Sequence, residues 1–194
     1  SSVGIEVINR KEELDSTIEK VLRYDRKIIV EEKIKDFLEY NISVLKTNDK
    51  LMLSAIEECI VDREYKIFSD NYLTKSEEDN KVKKICPAKL DEKMEADIKK
   101  MATNAVSLFN NTGICRVDFL YDKKEKKLYV NEVENIPLCF SHHLWEEVNI
   151  SYKELLNILI EDTIKNINKS SGKITTIDSN ILKNLTTKDI REMK

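Results

Sequence analysis

An α+β architecture, an antiparallel sheet flanked by helices, is predicted by three features of the chain. The stretch 113–137 reads GICRVDFLYDKKEKKLYVNEVENIP, two alternating runs joined by a charged linker, which is a β-hairpin pattern. Alternating runs also precede it, from Tyr40 to Val44 and around Leu51 to Ile60. On either side lie segments of helical period: Met94, Ile98, Met101, Ala102, Ala105 and Leu108 define one apolar face, and Leu155, Ile158, Leu159 and Ile160 another.

Taken in order, the chain opens on SSVGIEVI, a small-residue loop running into a short apolar strand. Asn9 followed by Glu12 reads as a helix start, and Leu14, Ile18, Val21 and Leu22 fall on one face of a helix reaching about Tyr24. Ile28, Ile29 and Val30 form a continuous apolar run, the pattern of a strand buried on both faces that leaves the core at Glu31 and Glu32. After the alternating runs, a short strand is expected from Tyr65 to Phe68, and the polar stretch from Asn71 to Lys84 reads as a long surface loop. The Met94 to Leu108 helix is stopped by Gly113, just before the hairpin. Ser151 and Glu154 form a capping box for a last helix, expected to reach about Ile167. The remainder, from Lys169, is rich in small polar residues and reads as a loosely attached tail.

Within the hairpin, alternation puts Arg116, Asp118 and Leu120 on one face of the first strand and Val117 and Phe119 on the other, while Val130, Glu132 and Glu134 share a face of the second. A turn centred near Glu125 sets Asp118 opposite Glu132 and Arg116 opposite Glu134, and a slip of one residue would destroy that arrangement. Two readings stand side by side. One is a solvated sheet face with cross-strand ion pairs, each contributing only a few tenths of a kcal/mol. The other is a hard-metal site, because oxygen ligands on a rigid hairpin suit Mg²⁺ held by one or two carboxylates together with substrate phosphates.

Composition narrows the function classes. With 194 residues, 41% of them hydrophobic, the chain can bury a sizeable core. Its 33 basic and 36 acidic residues are well mixed, so no basic stripe marks a nucleic-acid surface. No apolar run approaches the roughly 18 residues of a membrane span and no secretory pattern opens the chain, so a cytoplasmic protein is expected. The four cysteines lie far apart without metal-binding spacing and are expected to be reduced.

The loop SSVGI, the strand IIVEE, the phrase ICPAKL, the hairpin runs GICRVDF and YVNEVENIP, and the terminal ISYKELL occur in the order found in D-alanine:D-alanine ligases. The chain resembles that family from Ser1 to about Asn168. The resemblance implies an ATP-grasp fold: residues 1–30 as a remnant of the smaller central subdomain, 31–168 as the larger C-terminal subdomain, and 169–194 as the tail. It further implies ATP-dependent ligation of a carboxylate to an amine through an acyl phosphate, with ATP and Mg²⁺ or Mn²⁺ as cofactors. Amino acids or similar small molecules would be the substrates, with room for a homodimer. By position, Glu31, Glu32, Ile34 and Glu39 match nucleotide contacts, Tyr65 and Leu120 the residues that sandwich the adenine, and Asn131 a further nucleotide contact. Asp118, Glu132 and Glu134 match the metal ligands, Arg116 the arginine that stabilises the transition state, and Ser1 and Ser2 the loop that closes over the phosphates. Leu138, His143 and Leu144 match the pocket of the second substrate.

This sequence departs from the family pattern at four of these places. Glu134 stands where the family has an asparagine ligand, Leu138 where it has a glycine, and His143 where a serine holds the second substrate's carboxylate. Asn71 replaces a phosphate-contacting lysine, for which Lys75 is a candidate substitute. The changes leave three readings: a D-alanine:D-alanine ligase type enzyme, an ATP-grasp ligase for other small acids or amino acids, and a nucleotide-binding pseudoenzyme. The 194-residue chain on its own is expected to show no ligase turnover.

Overall fold

The computed structural model describes residues 4–60, 83–109 and 113–170. Five antiparallel strands form one sheet: β1 (Phe37–Lys46), β2 (Leu51–Ile60), β3 (Lys83–Ile85), β4 (Gly113–Asp122) and β5 (Lys127–Glu134). Their order is β3-β2-β1-β4-β5, so the hairpin of β4 and β5 attaches to the hairpin of β1 and β2 through a full-length β1–β4 pairing that runs from Phe37↔Asp122 to Lys46↔Gly113. β1 and β4 are therefore central strands, with every side chain committed to one face or the other.

The two faces differ sharply. Tyr40, Ile42 and Val44 of β1, Ile56 of β2 and Val117 and Phe119 of β4 point to a face covered by α2 (Glu92–Ser107), which contributes Ile98, Ala102 and Val106. That helix starts at Glu92, two residues before its first predicted apolar position, because the Asp91 side chain accepts a hydrogen bond from the Met94 backbone N–H at 2.8 Å. Leu108 falls just past its end and is exposed, and Val106 takes the buried position in its place.

Among the described residues, the opposite face is covered at one end. There α3 (His142–Glu146) and α4 (Tyr152–Ser170) bury Trp145 and Leu155 against Leu45 and Ile114. Trp145 is wholly buried, and its indole N–H donates to Ser43 Oγ at 3.0 Å, which in turn donates to the Cys115 carbonyl. Ser151 Oγ accepts from the Glu154 backbone N–H as the capping pattern implies, and α4 continues to Ser170 with Ile160 exposed on its outer side. The rest of this face, beyond Trp145, carries polar side chains.

Several sequence expectations are corrected. Residues 28–30 form no strand, and Ile29 is 86% exposed. A strand needs a neighbour to take its backbone hydrogen bonds, and none of the described strands pairs with this segment. Helix α1 (Leu14–Val21) is preceded by a 3-10 turn (Lys11–Glu13) and has no side-chain cap from Asn9; instead the Glu13 carboxylate accepts from the Asn9 backbone N–H. Lys83 and Lys84, expected in a loop, belong to β3 and pair with Ile60 and Cys59. Ser1, Ser2, the strand expected at Tyr65–Phe68, Asn71, Lys75 and residues 171–194 of the tail lie outside the described residues.

Because Trp145 is wholly buried between sheet and helices, Trp145→Ala should lower unfolding free energy by about 3–5 kcal/mol, read from urea denaturation. An unchanged urea midpoint would show that α3 and α4 contribute little to holding the sheet.

Candidate active site on the open face of the sheet

The hairpin register is set by a bulge. From Asp122↔Lys127 to Phe119↔Val130 the pairing follows the turn, but at the next step Asp118 pairs with Glu132, leaving Asn131 as the extra residue. Without the bulge, Asp118 would face Asn131. With it, Asp118↔Glu132 and Arg116↔Glu134 are directly opposed, as the sequence predicts. One expectation fails for the same reason: Val130 lies opposite Phe119, on the α2 side of the sheet, and does not share a face with Glu132 and Glu134.

Register across the whole sheet then aligns a polar row, Glu57 of β2, Asn41 of β1, Asp118 of β4 and Glu132 of β5. Glu39 lies beside it, between Cys59 and Leu120. Arg116 forks onto Asp118, with Nε at 2.6 Å from one carboxylate oxygen and a terminal nitrogen at 2.7 Å from the other, and a terminal nitrogen also lies 2.9 Å from Glu134. The Asp118 hydrogen bond raises the Arg116 pKa, so the guanidinium is charged at any working pH.

Carboxylates are crowded here. Glu132 is held above its ordinary range by loss of hydration and then by the charges of Asp118 and Glu134. Glu39 is pushed up by burial and then by Asp118. Such a face attracts cations.

Among the described residues no three acidic, histidine or cysteine side chains converge closely enough to hold a metal by themselves. The oxygen-only pair of Asp118 and Glu132 therefore fits an ion that completes its shell with phosphates, the usual habit of Mg²⁺, and not a protein-only cage. Asn41 adds an orphaned acceptor to the row, since its buried Oδ1 has no hydrogen-bond partner.

Glu57, absent from the sequence-based set, is the most buried charge on this face, with no exposed surface. Its Oε1 accepts from Lys84 Nζ at 2.9 Å and from Asn41 Nδ2 at 3.2 Å, and its Oε2 lies 2.8 Å from His143 Nε2. Burial pushes its pKa up, but the hydrogen bonds from Lys84 and then His143 outweigh burial and hold it below the usual carboxylate range. The signal in the sequence was an acid inside the apolar run LMLSAIEECI; only register shows that Glu57, not Glu58, points to the polar face.

The remaining sequence-predicted residues are dispersed. Glu31 and Glu32 are exposed and Ile34 half-buried, in a segment without regular structure before β1. Asn131 is exposed at the bulge, and Leu120 sits half-buried on the polar face. Leu138 is 83% exposed, at the start of a turn in which Cys139, Phe140 and Ser141 all adopt positive φ, a strained run for residues with side chains. Leu144 is wholly buried against the sheet and offers no surface to a ligand.

Geometry and comparison agree on the class of protein. Among solved structures, the VanG D-Ala:D-Ser ligase from Enterococcus faecalis superposes with a TM-score of 0.66 at 29% identity, covering 83% of this chain and 46% of that one. The D-alanine-D-alanine ligase from Coxiella burnetii shares the fold with a TM-score of 0.70 at 23% identity, over 88% of this chain and 44% of the other. The sheet and its helices are thus those of the ATP-grasp fold. The family model described as D-ala D-ala ligase C-terminus matches residues 1–161, and the chain belongs to that family. Curated relatives include D-alanine--D-alanine ligases of Thermosipho africanus, 31% identical over 93% of this chain, and Chloroherpeton thalassium, 36% identical over 83%. The chain spans about half the length of the curated relatives it matches, 48% and 43% respectively.

The opposite pKa shifts give opposite pH signatures. Glu57, lowered in the fold, adds stability above its ordinary value of 4.5 that is lost as pH falls toward the folded value. Glu39, raised in the fold, costs stability as pH rises from 4.5 through its folded value. Glu39→Gln should therefore resist urea better than wild type at pH 7, with the advantage vanishing below pH 4.5. A Glu39→Gln protein no more stable than wild type at neutral pH would show that its ionised carboxylate is not penalised.

Proposed function

We propose that this chain is the nucleotide-binding and catalytic part of an ATP-dependent carboxylate-amine ligase of the D-alanine:D-alanine ligase type, acting through an acyl phosphate. The observation that carries the reading is the direct pairing of Asp118 with Glu132, beside an Arg116 forked onto Asp118, on the polar face of the sheet. In phosphoryl transfer a protein mainly positions groups and neutralises developing charge, and this cluster supplies both functions.

In this reading Asp118 and Glu132 hold Mg²⁺ or Mn²⁺, with Glu134 as a third, weaker partner because Arg116 competes for it. The ion, when bound, screens the phosphate charge and aligns the transferred phosphoryl group. Arg116 faces the charge that builds up as the phosphoryl group moves. Glu39 and Leu120 flank the nucleotide from β1 and β4, with Glu31, Glu32, Ile34 and Asn131 at its margin. His143 and Leu138 border the second substrate, and a cytoplasmic setting matches the ATP requirement. Among the described residues, no helix is long and apolar enough to cross a membrane.

The amine is a different matter from the family's name. His143 replaces a hydroxyl with a larger, titratable ring tied to Glu57, which alters the pocket's shape and charge. The related VanG protein, a D-Ala:D-Ser ligase by name, supports an amine other than D-alanine.

Asp118→Asn in the full-length protein should abolish Mg²⁺-dependent ATP binding, measured by titration calorimetry with and without metal. Unchanged affinity and metal dependence would return the hairpin to a salt-bridged surface. A second measurement concerns selectivity: D-alanine should be a poor amine relative to other small amino acids in an ATP-dependent phosphate-release assay, and efficient D-alanyl-D-alanine formation by the wild-type protein contradicts that.

A further inference from the structure

We propose that α4 is one arm of a helical hairpin and that the segment from Ile174 to Leu185 is the other, docked along an apolar stripe that α4 presents. One side of α4 is committed to the sheet. Leu155 is wholly buried there, and the buried Asp162 carboxylate accepts from the Asn48 backbone N–H and from Asn48 Nδ2, both at 3.0 Å, which pins the turn between β1 and β2. A second side is apolar and exposed. Ile160, Ile164 and Ile167 are 56%, 52% and 61% exposed, and their spacing of four and then three residues lines them up on one face, continued a turn earlier by the half-buried Leu156. Single exposed apolar residues are ordinary, but a row of isoleucines along a helix marks a contact surface.

The sequence beyond α4 supplies a matching stripe. Ile174, Ile177, Ile181 and Leu185 recur at intervals of three, four and four, and apart from Leu182 every residue between them is polar. These are the intervals of α4 read backwards, since Leu156, Ile160, Ile164 and Ile167 are separated by four, four and three. In an antiparallel hairpin, residues equally far from the turn meet, so Ile167 faces Ile174, Ile164 faces Ile177, Ile160 faces Ile181 and Leu156 faces Leu185. The centre of that symmetry falls between Ser170, where α4 ends, and Ser171. Gly172 follows at once, and glycine takes the positive φ of a helix-ending turn without strain. Connections of about two to five residues are the usual ones between antiparallel helices.

A second copy of the chain is the competing occupant. The tether decides against it: a segment joined through a turn of a few residues meets the stripe at an effective concentration on the order of millimolar, far above that of a separate molecule at working dilution. The match to the D-ala D-ala ligase C-terminus model stops at residue 161, so Ile164, Ile167 and the whole second arm lie outside it. The hairpin is thus independent of the ligase chemistry. Its effect is to brace α4, which through Asp162 and Leu155 holds the turn after β1 and packs against Leu45.

The test uses the full-length protein in a Cys139→Ser background, because Cys139 is exposed. Thr163 and Asp178 are mirror positions at the edge of the stripe, whereas Thr163 and Thr187 are not. Under mild oxidation of micromolar protein, Thr163→Cys with Asp178→Cys should form an intramolecular disulfide about tenfold faster than Thr163→Cys with Thr187→Cys. Removing residues 171–194 should also speed amide hydrogen exchange across Ile160–Ile167 by about tenfold, with β1 and β4 unchanged. Ile177→Asp keeps the second arm but charges its contact, and should accelerate the same amides even if the shortened protein does not fold. Disulfides that join two molecules would assign the stripe to a second copy and overturn the hairpin. Equal rates for the two cysteine pairs, or exchange across Ile160–Ile167 that neither change accelerates, would overturn it as well.

Discussion

The register between β4 and its two neighbours is the constraint on which everything else depends. β4 is central, so each residue is committed both to β1 and to β5, and a shift by one would bring Val117 and Phe119 out of the α2 core and carry Arg116 and Asp118 into it. The bulge at Asn131 reconciles two demands on β5. Near the turn, its alternation keeps Leu128 and Val130 opposite Tyr121 and Phe119. Past the bulge, it delivers Glu132 and Glu134 to the polar face while returning Val133 to the core opposite Val117. A single unpaired residue thus lets one strand serve the core and the site.

The open face is a region where stability is sacrificed. Four of its carboxylates, Glu39, Asp118, Glu132 and Glu134, crowd around one guanidinium, and both Glu39 and Glu132 resist ionisation there. A fold selected only for stability would not assemble these charges on adjacent strands, since like charges side by side are unfavourable. Substrate-bound cations would relieve them. Glu57 is the opposite case, a fully buried charge surrounded by donors, so its desolvation is offset by Lys84, His143 and Asn41.

That network also ties distant parts of the fold together. Glu57 links β2 to β3 through Lys84, to β1 through Asn41 and to α3 through His143. The helix carrying His143 is itself seated by Trp145, whose indole reaches Ser43 on β1. His143 is therefore placed from two sides, by a polar contact at its tip and an apolar anchor two residues along its helix.

The sequence by itself determined the long strands of the sheet, the two longest helices and the polarity of most of their faces. The hairpin, its turn and the Glu92–Ser107 helix are local consequences of period, capping and turn chemistry, which act over a few residues, whereas the Asp118↔Glu132 opposition needs the bulge at Asn131, which the alternation alone does not show. Tertiary structure decided what depends on neighbours far along the chain. The apolar run 28–30 has the composition of a buried strand and lies open because nothing among the described residues pairs with it. Leu144 has the position of a pocket residue and is buried by the packing of α3 on the sheet. Glu57 is one of two neighbouring acids in the sequence and becomes the centre of a polar network only because the β1–β2 register puts it opposite Asn41, while β3 and α3 bring in a lysine and a histidine from 27 and 86 residues away. Periodicity can say that a side chain faces one way; which partner meets it there is set by long-range pairing, which a local pattern does not encode.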